Sequence, residues 1–239
     1  MLDGADRVAV ALDCPRERAL ELASALAGSG CWVKVGMTLY YAAGPEVVAE
    51  MRAMGLRVFL DLKLHDIPHQ VRGAAEAASL AGADLLTVHA LGGEAMVRAA
   101  REGLEAAAAA RGGRTRLVAV TVLTSMDAAA LAQVGVARPL GEEVSSLASM
   151  ACGAGADGVV CSPLEAAGLR RALGGDAIVV CPGVRPAGSA AGDQSRVATP
   201  ASAIRDGASL LVVGRPVTEA DDPASAFAGI CREVAGALA

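Results

Sequence analysis

Eight short apolar runs recur along the chain, at Val8–Asp13, Trp32–Gly36, Arg57–Lys63, Asp84–Ala90, Leu117–Leu123, Asp157–Cys161, Ala177–Pro182 and Ser209–Gly214. Most are rich in valine and leucine with little strict alternation, the pattern of parallel strands covered on both faces. Between them lie Ala/Glu/Arg/Leu segments with helical spacing, such as Arg16–Leu26 and Pro45–Met54. Gly-Ala-Asp occurs at 82–84 and at 155–157, with the related Gly207-Ala208-Ser209. Each reads as a helix end, a tight turn and the start of the next strand. Run starts fall roughly 20–40 residues apart, the length of one βα unit. Eight such units without hairpin signals predict an α/β fold, a single-domain (β/α)8 TIM barrel over residues 1–239. The runner-up is an open doubly wound sheet. That fold calls for a glycine-rich loop after the first strand, where this chain has Leu12-Asp13-Cys14-Pro15.

Composition narrows the function classes. With 54% hydrophobic and 20% charged residues the chain is not a disordered one. A pI near 5.3 and the lack of a basic cluster exclude nucleic acid as the main partner. No apolar run approaches the length of a membrane span, so no membrane partner is expected. The start, Met1-Leu2-Asp3-Gly4-Ala5-Asp6, is acidic and leads at once into a strand. It does not read as a signal peptide, and a cytoplasmic location follows as the expectation. The six cysteines (14, 31, 152, 161, 181 and 231) form no C-x-x-C and no zinc pattern with the three histidines. They read as small buried hydrophobes in a reducing compartment. The run Ala106–Ala110 reads as exposed helix surface.

One count bears on chemistry. The chain has 54 alanines and 19 arginines, no asparagine, and only two lysines, Lys34 and Lys63. Such a bias is the mark of GC-rich coding drift, under which lysines free to become arginine mostly do so. Arginine is then expected on the surface, where only charge is needed. The two surviving lysines need another reason.

A barrel carries its reactive groups at the C-terminal ends of its strands. Those ends hold Asp13, Lys34, Asp61, Lys63, His65, Asp66, His69, Gln70, His89, Thr124, Ser125, Arg185, Gly214 and Arg215. Asp61 and Lys63 are two apart on a predicted strand, which points both side chains to one face. With Lys34 in the same interior, lysines and aspartates alternate, and each carboxylate keeps its neighbouring ammonium protonated. Such a buried set is a poor stabilising device but a good fixed field with one transferable proton. Arginine would not serve, because its guanidinium does not release a proton. A structural ion network plugging the barrel is the bland alternative. A second cluster suits phosphate: Pro182-Gly183-Val184-Arg185-Pro186 and Val213-Gly214-Arg215-Pro216 fall after the seventh and eighth strands, where barrels often hold one. Asp193-Gln194, in the long irregular stretch Pro182–Ala198, is placed to close over the same anion.

These residues resemble the orotidine 5′-phosphate decarboxylase family over nearly the whole chain. Val10-Ala11-Leu12-Asp13, Lys34-Val35-Gly36, Asp61-Leu62-Lys63-Leu64-His65-Asp66-Ile67-Pro68, Leu123-Thr124-Ser125, Pro182-Gly183-Val184-Arg185, Asp193-Gln194 and Val213-Gly214-Arg215 occur in that family's order. The resemblance implies that Lys63 protonates C6 of the pyrimidine and that Asp61 stands beside the substrate carboxylate. It implies that Lys34 links Asp61 to the ribose and that Asp66 comes from the other subunit of a homodimer. Asp13 would hold a ribose hydroxyl, Thr124 or Ser125 would contact the base, and Gln194, Gly214 and Arg215 would bind phosphate beside Arg185. No metal and no organic cofactor are implied. After Asp-Ile-Pro the family commonly has Asn-Thr, whereas this chain has His69-Gln70, so the ribose contact across the dimer would pass to Gln70. Two other functions stay open at this stage. One is a related metal-dependent enzyme of sugar phosphates, which typically carries an acidic residue in place of Lys34. The other is a non-catalytic nucleotide-binding barrel.

Overall fold

A computed structural model describes residues 2–186 and 198–239. Eight strands, β1 (Val8–Ala11), β2 (Trp32–Gly36), β3 (Arg57–Leu64), β4 (Leu85–His89), β5 (Arg116–Val120), β6 (Gly158–Val160), β7 (Ile178–Cys181) and β8 (Leu210–Val213), close into a barrel in chain order. Every neighbouring pair is parallel, including β8 with β1. The eight runs read from the sequence are these strands, with no end moved by more than three residues and Trp32–Gly36 unchanged. The helix expected at Arg16–Leu26 has those bounds, and the one expected at Pro45–Met54 spans Glu46–Ala53. No helix among the described residues is long and apolar enough to cross a membrane.

Two apolar layers form. The larger lies between strands and outer helices, where Val33, Leu60, Leu86 and Ala119 face the helical ring. The smaller fills the barrel, with Ala9, Ala11, Trp32, Phe59, Leu85, Val118, Val180, Leu210 and Val212. Strand alternation carries this inward set upward to polar groups. Two residues beyond Trp32 stands Lys34, two beyond Phe59 stands Asp61, and two beyond Leu85 stands Thr87.

The barrel's N-terminal end is knitted by a repeated clasp. Gly82, Gly155 and Gly207 take φ of 116°, 103° and 97°, the left-handed turn that glycine tolerates. The residue two places on then turns its side chain back to the strand before. Asp84 accepts from the Val58 N–H at 2.8 Å, Asp157 from Leu117 at 2.7 Å, and the Ser209 hydroxyl from Val179 at 3.1 Å. Each turn is also gripped by a guanidinium. Arg111 donates to the Gly82 carbonyl at 3.0 Å, Arg101 to Gly155 at 2.8 Å, and Arg170 to Gly207 at 3.0 Å. Arg101 also pairs with Asp157, and Arg170 donates to the Ser209 hydroxyl at 2.6 Å. These arginines correct the expectation that arginine serves only as surface charge. Arg101 is buried, and its planar fork bonds a carbonyl and a carboxylate at once, which an ammonium does not reproduce.

Candidate active site

The barrel's C-terminal mouth opens into a cavity of about 680 Å³, within the usual range for a small-molecule site. Its walls include Asp13, Lys34, Asp61, Lys63, Thr124, Arg185, Gly214 and Arg215. Apolar Ala11, Phe59, Val160, Val180 and Val212 form the part that continues the barrel's core. Eight sequence-derived candidates therefore meet in one space. Thr124 lines it, whereas Ser125 is exposed.

At the floor one carboxylate serves two ammonium groups. Asp61 Oδ2 lies 2.9 Å from Lys63 Nζ and 3.6 Å from Lys34 Nζ. Lys34 Nζ also lies 3.0 Å from Asp13 Oδ1. Lys34 and Asp61 are buried, at 8% and 9% exposure, while Lys63 is more open and Asp13 is exposed. The order Asp13–Lys34–Asp61–Lys63 alternates in sign. Three adjacent strands present it, with Asp13 just after β1, Lys34 on β2, and Asp61 and Lys63 on β3.

Alternation along β3 carries on to Lys63: Leu60, Leu62 and Leu64 pack in the outer apolar layer, while Phe59, Asp61 and Lys63 line the cavity. The β3–β4 register runs from Leu60 opposite Leu86 to Leu64 opposite Val88, so β3 bulges between them. Inside the bulge Lys63 has φ of 50°, the only positive φ at a non-glycine residue among those described. The bulge leaves the two-residue period of the side chains intact and changes only the main-chain pairing around Lys63. Thr87 of β4, which sequence reading passed over, stands against this irregularity. Its hydroxyl accepts from the Lys63 backbone N–H at 2.8 Å and donates to Asp61 Oδ1 at 3.0 Å. The missed signal was a polar residue at an inward position of a buried strand.

Asp66 and Gln70 do not join the array of their own chain. Both are exposed, at the start of the helix Pro68–Leu80, and Asp66 Oδ1 accepts from the Ile67 N–H at 2.6 Å. His69 is exposed beside them. Gln194, with Asp193, lies outside the described residues. Among the described residues on either side, Val184 pairs with Ala198, and Arg185 donates its N–H to the Ala198 carbonyl at 3.0 Å. The residues sequence reading did not name at the cavity include Cys14, Arg18 and Glu219.

His89 closes β4 and stacks on His65 with ring centroids 5.3 Å apart. Its Nδ1 accepts from the Leu91 N–H at 3.4 Å, which fixes a neutral ring. Burial, then His65, then Lys63 push its pKa down to about 4. Among the described residues no three His, Cys, Asp or Glu side chains cluster in a way that could hold a metal ion.

The profile of the "Orotidine 5′-phosphate decarboxylase / HUMPS family" matches residues 6–230. The chain belongs to that family. An orotidine 5′-phosphate decarboxylase of Halorhodospira halophila is 52% identical over 235 residues, 98% of this chain and 98% of its own. One from Anaeromyxobacter sp. (strain K) is 53% identical over 226 residues, covering 94% and 96%. The crystal structure of orotidine 5′-phosphate decarboxylase from Lactobacillus acidophilus superposes with a TM-score of 0.86 at 42% identity, over 95% of this chain and 98% of that one. Fold and family thus agree with what the motifs implied.

Proposed function

We propose that this chain decarboxylates orotidine 5′-phosphate to UMP and CO2, a step of de novo pyrimidine synthesis, with neither metal nor organic cofactor. One observation carries the reading: the Asp61 carboxylate shared by Lys63 and Lys34 at 2.9 and 3.6 Å, on the floor of a cavity that Arg185 and Arg215 also line. Family membership with relatives of that name near 50% identity supports it.

The chemistry asks for what this floor offers. When the C6–carboxylate bond breaks, CO2 leaves and its bonding electron pair stays on C6, with no adjacent sink. A fixed ammonium beside that carbon stabilises the charge as it grows and then transfers a proton to it. Lys63 fills this role and regains its proton from solvent. Asp61 stands beside the departing carboxylate and holds both lysines in place. Lys34 and Asp13 take the ribose hydroxyls, and Thr124 contacts the base. Arg185, Gly214, Arg215 and Gln194 hold the phosphate, whose remote binding energy is available to the transition state. Asp66 of the partner subunit completes the alternating charges, and Gln70 of the partner subunit reaches a ribose hydroxyl. The exposure of both residues on their own barrel supports such a homodimer. The cytoplasm is the compartment proposed.

The alternative, a related metal-dependent enzyme of sugar phosphates, would carry an acidic residue in place of the first lysine to bind magnesium. Here that position is Lys34, an ammonium paired to two carboxylates. The test is CO2 release from orotidine 5′-phosphate by the purified protein, with and without EDTA. Equal turnover in both is expected. No release, with intact UMP binding, would leave a nucleotide-binding barrel, and loss of activity in EDTA would restore the metal-dependent reading.

A further inference from the structure

We infer that Thr87 is a positioning residue for the decarboxylation, holding Asp61 and Lys63 in register through one hydroxyl; this rests on the function proposed above. The hydroxyl is fully buried and is used twice, as acceptor from the Lys63 N–H at 2.8 Å and as donor to Asp61 Oδ1 at 3.0 Å. Asp61 Oδ2 then faces Lys63 Nζ at 2.9 Å. The connections close a ring: Lys63 backbone, Thr87 hydroxyl, Asp61 carboxylate, Lys63 ammonium.

Each link answers a physical need. The left-handed backbone at Lys63 is unfavourable for a residue with a side chain, so it persists only where neighbours over-determine it. The bulge removes Lys63 from the regular β3–β4 ladder. Thr87 supplies the acceptor that the ladder does not. Asp61 has a different problem. An anionic substrate arriving beside it repels it, and a free carboxylate would turn about its Cβ–Cγ bond to escape. With Oδ1 held by the hydroxyl and Oδ2 by two ammonium groups, that rotation breaks a buried hydrogen bond. The β-branched threonine is stiff about χ1, so its hydroxyl is aimed before substrate binds. Valine has nearly the same shape but neither donor nor acceptor.

The test measures steady-state kinetics of Thr87→Val, Thr87→Ala and Thr87→Ser. Misplacing reacting groups by a fraction of an ångström costs turnover more than binding, so kcat of Thr87→Val is expected to fall roughly ten- to a hundredfold. KM should move less than about threefold, because the phosphate contacts are untouched. Thr87→Ser should recover most of kcat. A merely structural threonine would lower thermal stability and leave kcat per folded molecule unchanged, which overturns the proposal. Thr87→Ala makes the same prediction should the valine variant not fold. If neither folds while Thr87→Ser does, the hydroxyl is structural and the proposal fails. Hydrogen exchange at the Lys63 amide gives a readout without turnover: it should quicken at least about tenfold in Thr87→Val and slow again in Thr87→Ser. An unaltered protein that releases no CO2 overturns the proposed function. An active one matched by an equally active Thr87→Val overturns only the role of Thr87.

Discussion

Gly103 offers a substitution whose sign reverses the rule of helix propensity. It lies inside the helix Gly93–Arg111, which packs along the helix Pro68–Leu80. Alanine in a helix interior is favoured over glycine by about 1 kcal/mol, so propensity alone expects Gly103→Ala to stabilise. A Cβ at this position would stand 2.2 Å from the Arg72 carbonyl oxygen, against 3.0 Å as the nearest approach real Cβ atoms show. The two helices must part by about 0.8 Å, and the obstacle is backbone rather than a flexible side chain. Overpacking of this kind costs about 1–3 kcal/mol, and backbone against Cβ belongs at the upper end. The net is a loss of about 2 kcal/mol, or roughly 4–8 °C in Tm for a chain of this size. The matched control is Gly168→Ala, in the helix Pro163–Leu173, where nothing lies within 4 Å of the added carbon. That variant should gain about 0.5–1 kcal/mol. Activity separates the pair further. The displaced helix begins just after Asp66 and carries Gln70, so under the proposed homodimer Gly103→Ala should also lower kcat, while Gly168→Ala should not. Urea unfolding and turnover of the two variants decide the matter. A Gly103→Ala protein as stable as Gly168→Ala would refute the close helix approach.

Three further outcomes are expected. Lys63→Ala, Lys63→Arg and Lys34→Arg should fold, as judged by thermal melts, yet lose nearly all CO2 release, because a guanidinium neither fits the ammonium's place nor yields a proton; near-normal turnover in Lys63→Arg would remove Lys63 as proton donor. Conversely, Arg101→Lys should cost about 2–3 kcal/mol by losing the carbonyl half of its fork while kcat per folded molecule holds, and a change within about 0.5 kcal/mol would dismiss the clasp. His89, with its pKa lowered to about 4 from 6.5, is neutral when folded and takes a proton more readily when unfolded. Its contribution is therefore full above pH 6.5 and is lost as pH falls toward 4. Melting curves of His89→Gln should fall less steeply than those of the unaltered protein across that window, and parallel curves would contradict the assignment.

The sequence carried the strand order because parallel barrel strands are buried on both faces and so read as unbroken apolar runs. Lys34 and Asp61 were legible for the related reason that inward parity continues past Trp32 and Phe59. Lys63 was legible by the same parity, two places beyond Asp61, but its backbone geometry was not, since a bulge is a property of two strands' registers rather than of one strand's spelling. Thr87 was hidden for the same reason: threonine is an ordinary β-strand residue, and only the partner strand shows what its hydroxyl meets. The arginine clasps do not stand out in the sequence, because codon bias and guanidinium geometry leave the same letter. For Asp66 and Gln70 the spacing gave a place near the strand end but no role; the role proposed for them comes from the resemblance, and both are exposed on their own barrel.

The backbone at position 63 has a consequence for how the chain ranks its own interests. With φ of 50°, the residue best suited to the conformation there is glycine, and any side chain raises the energy by roughly 1–2 kcal/mol. Lys63→Gly should thus melt above Lys63→Ala, with both inactive. The chain keeps the amine where its own main chain would be more relaxed without it. Selection for stability alone, acting on this one codon, would erase the activity.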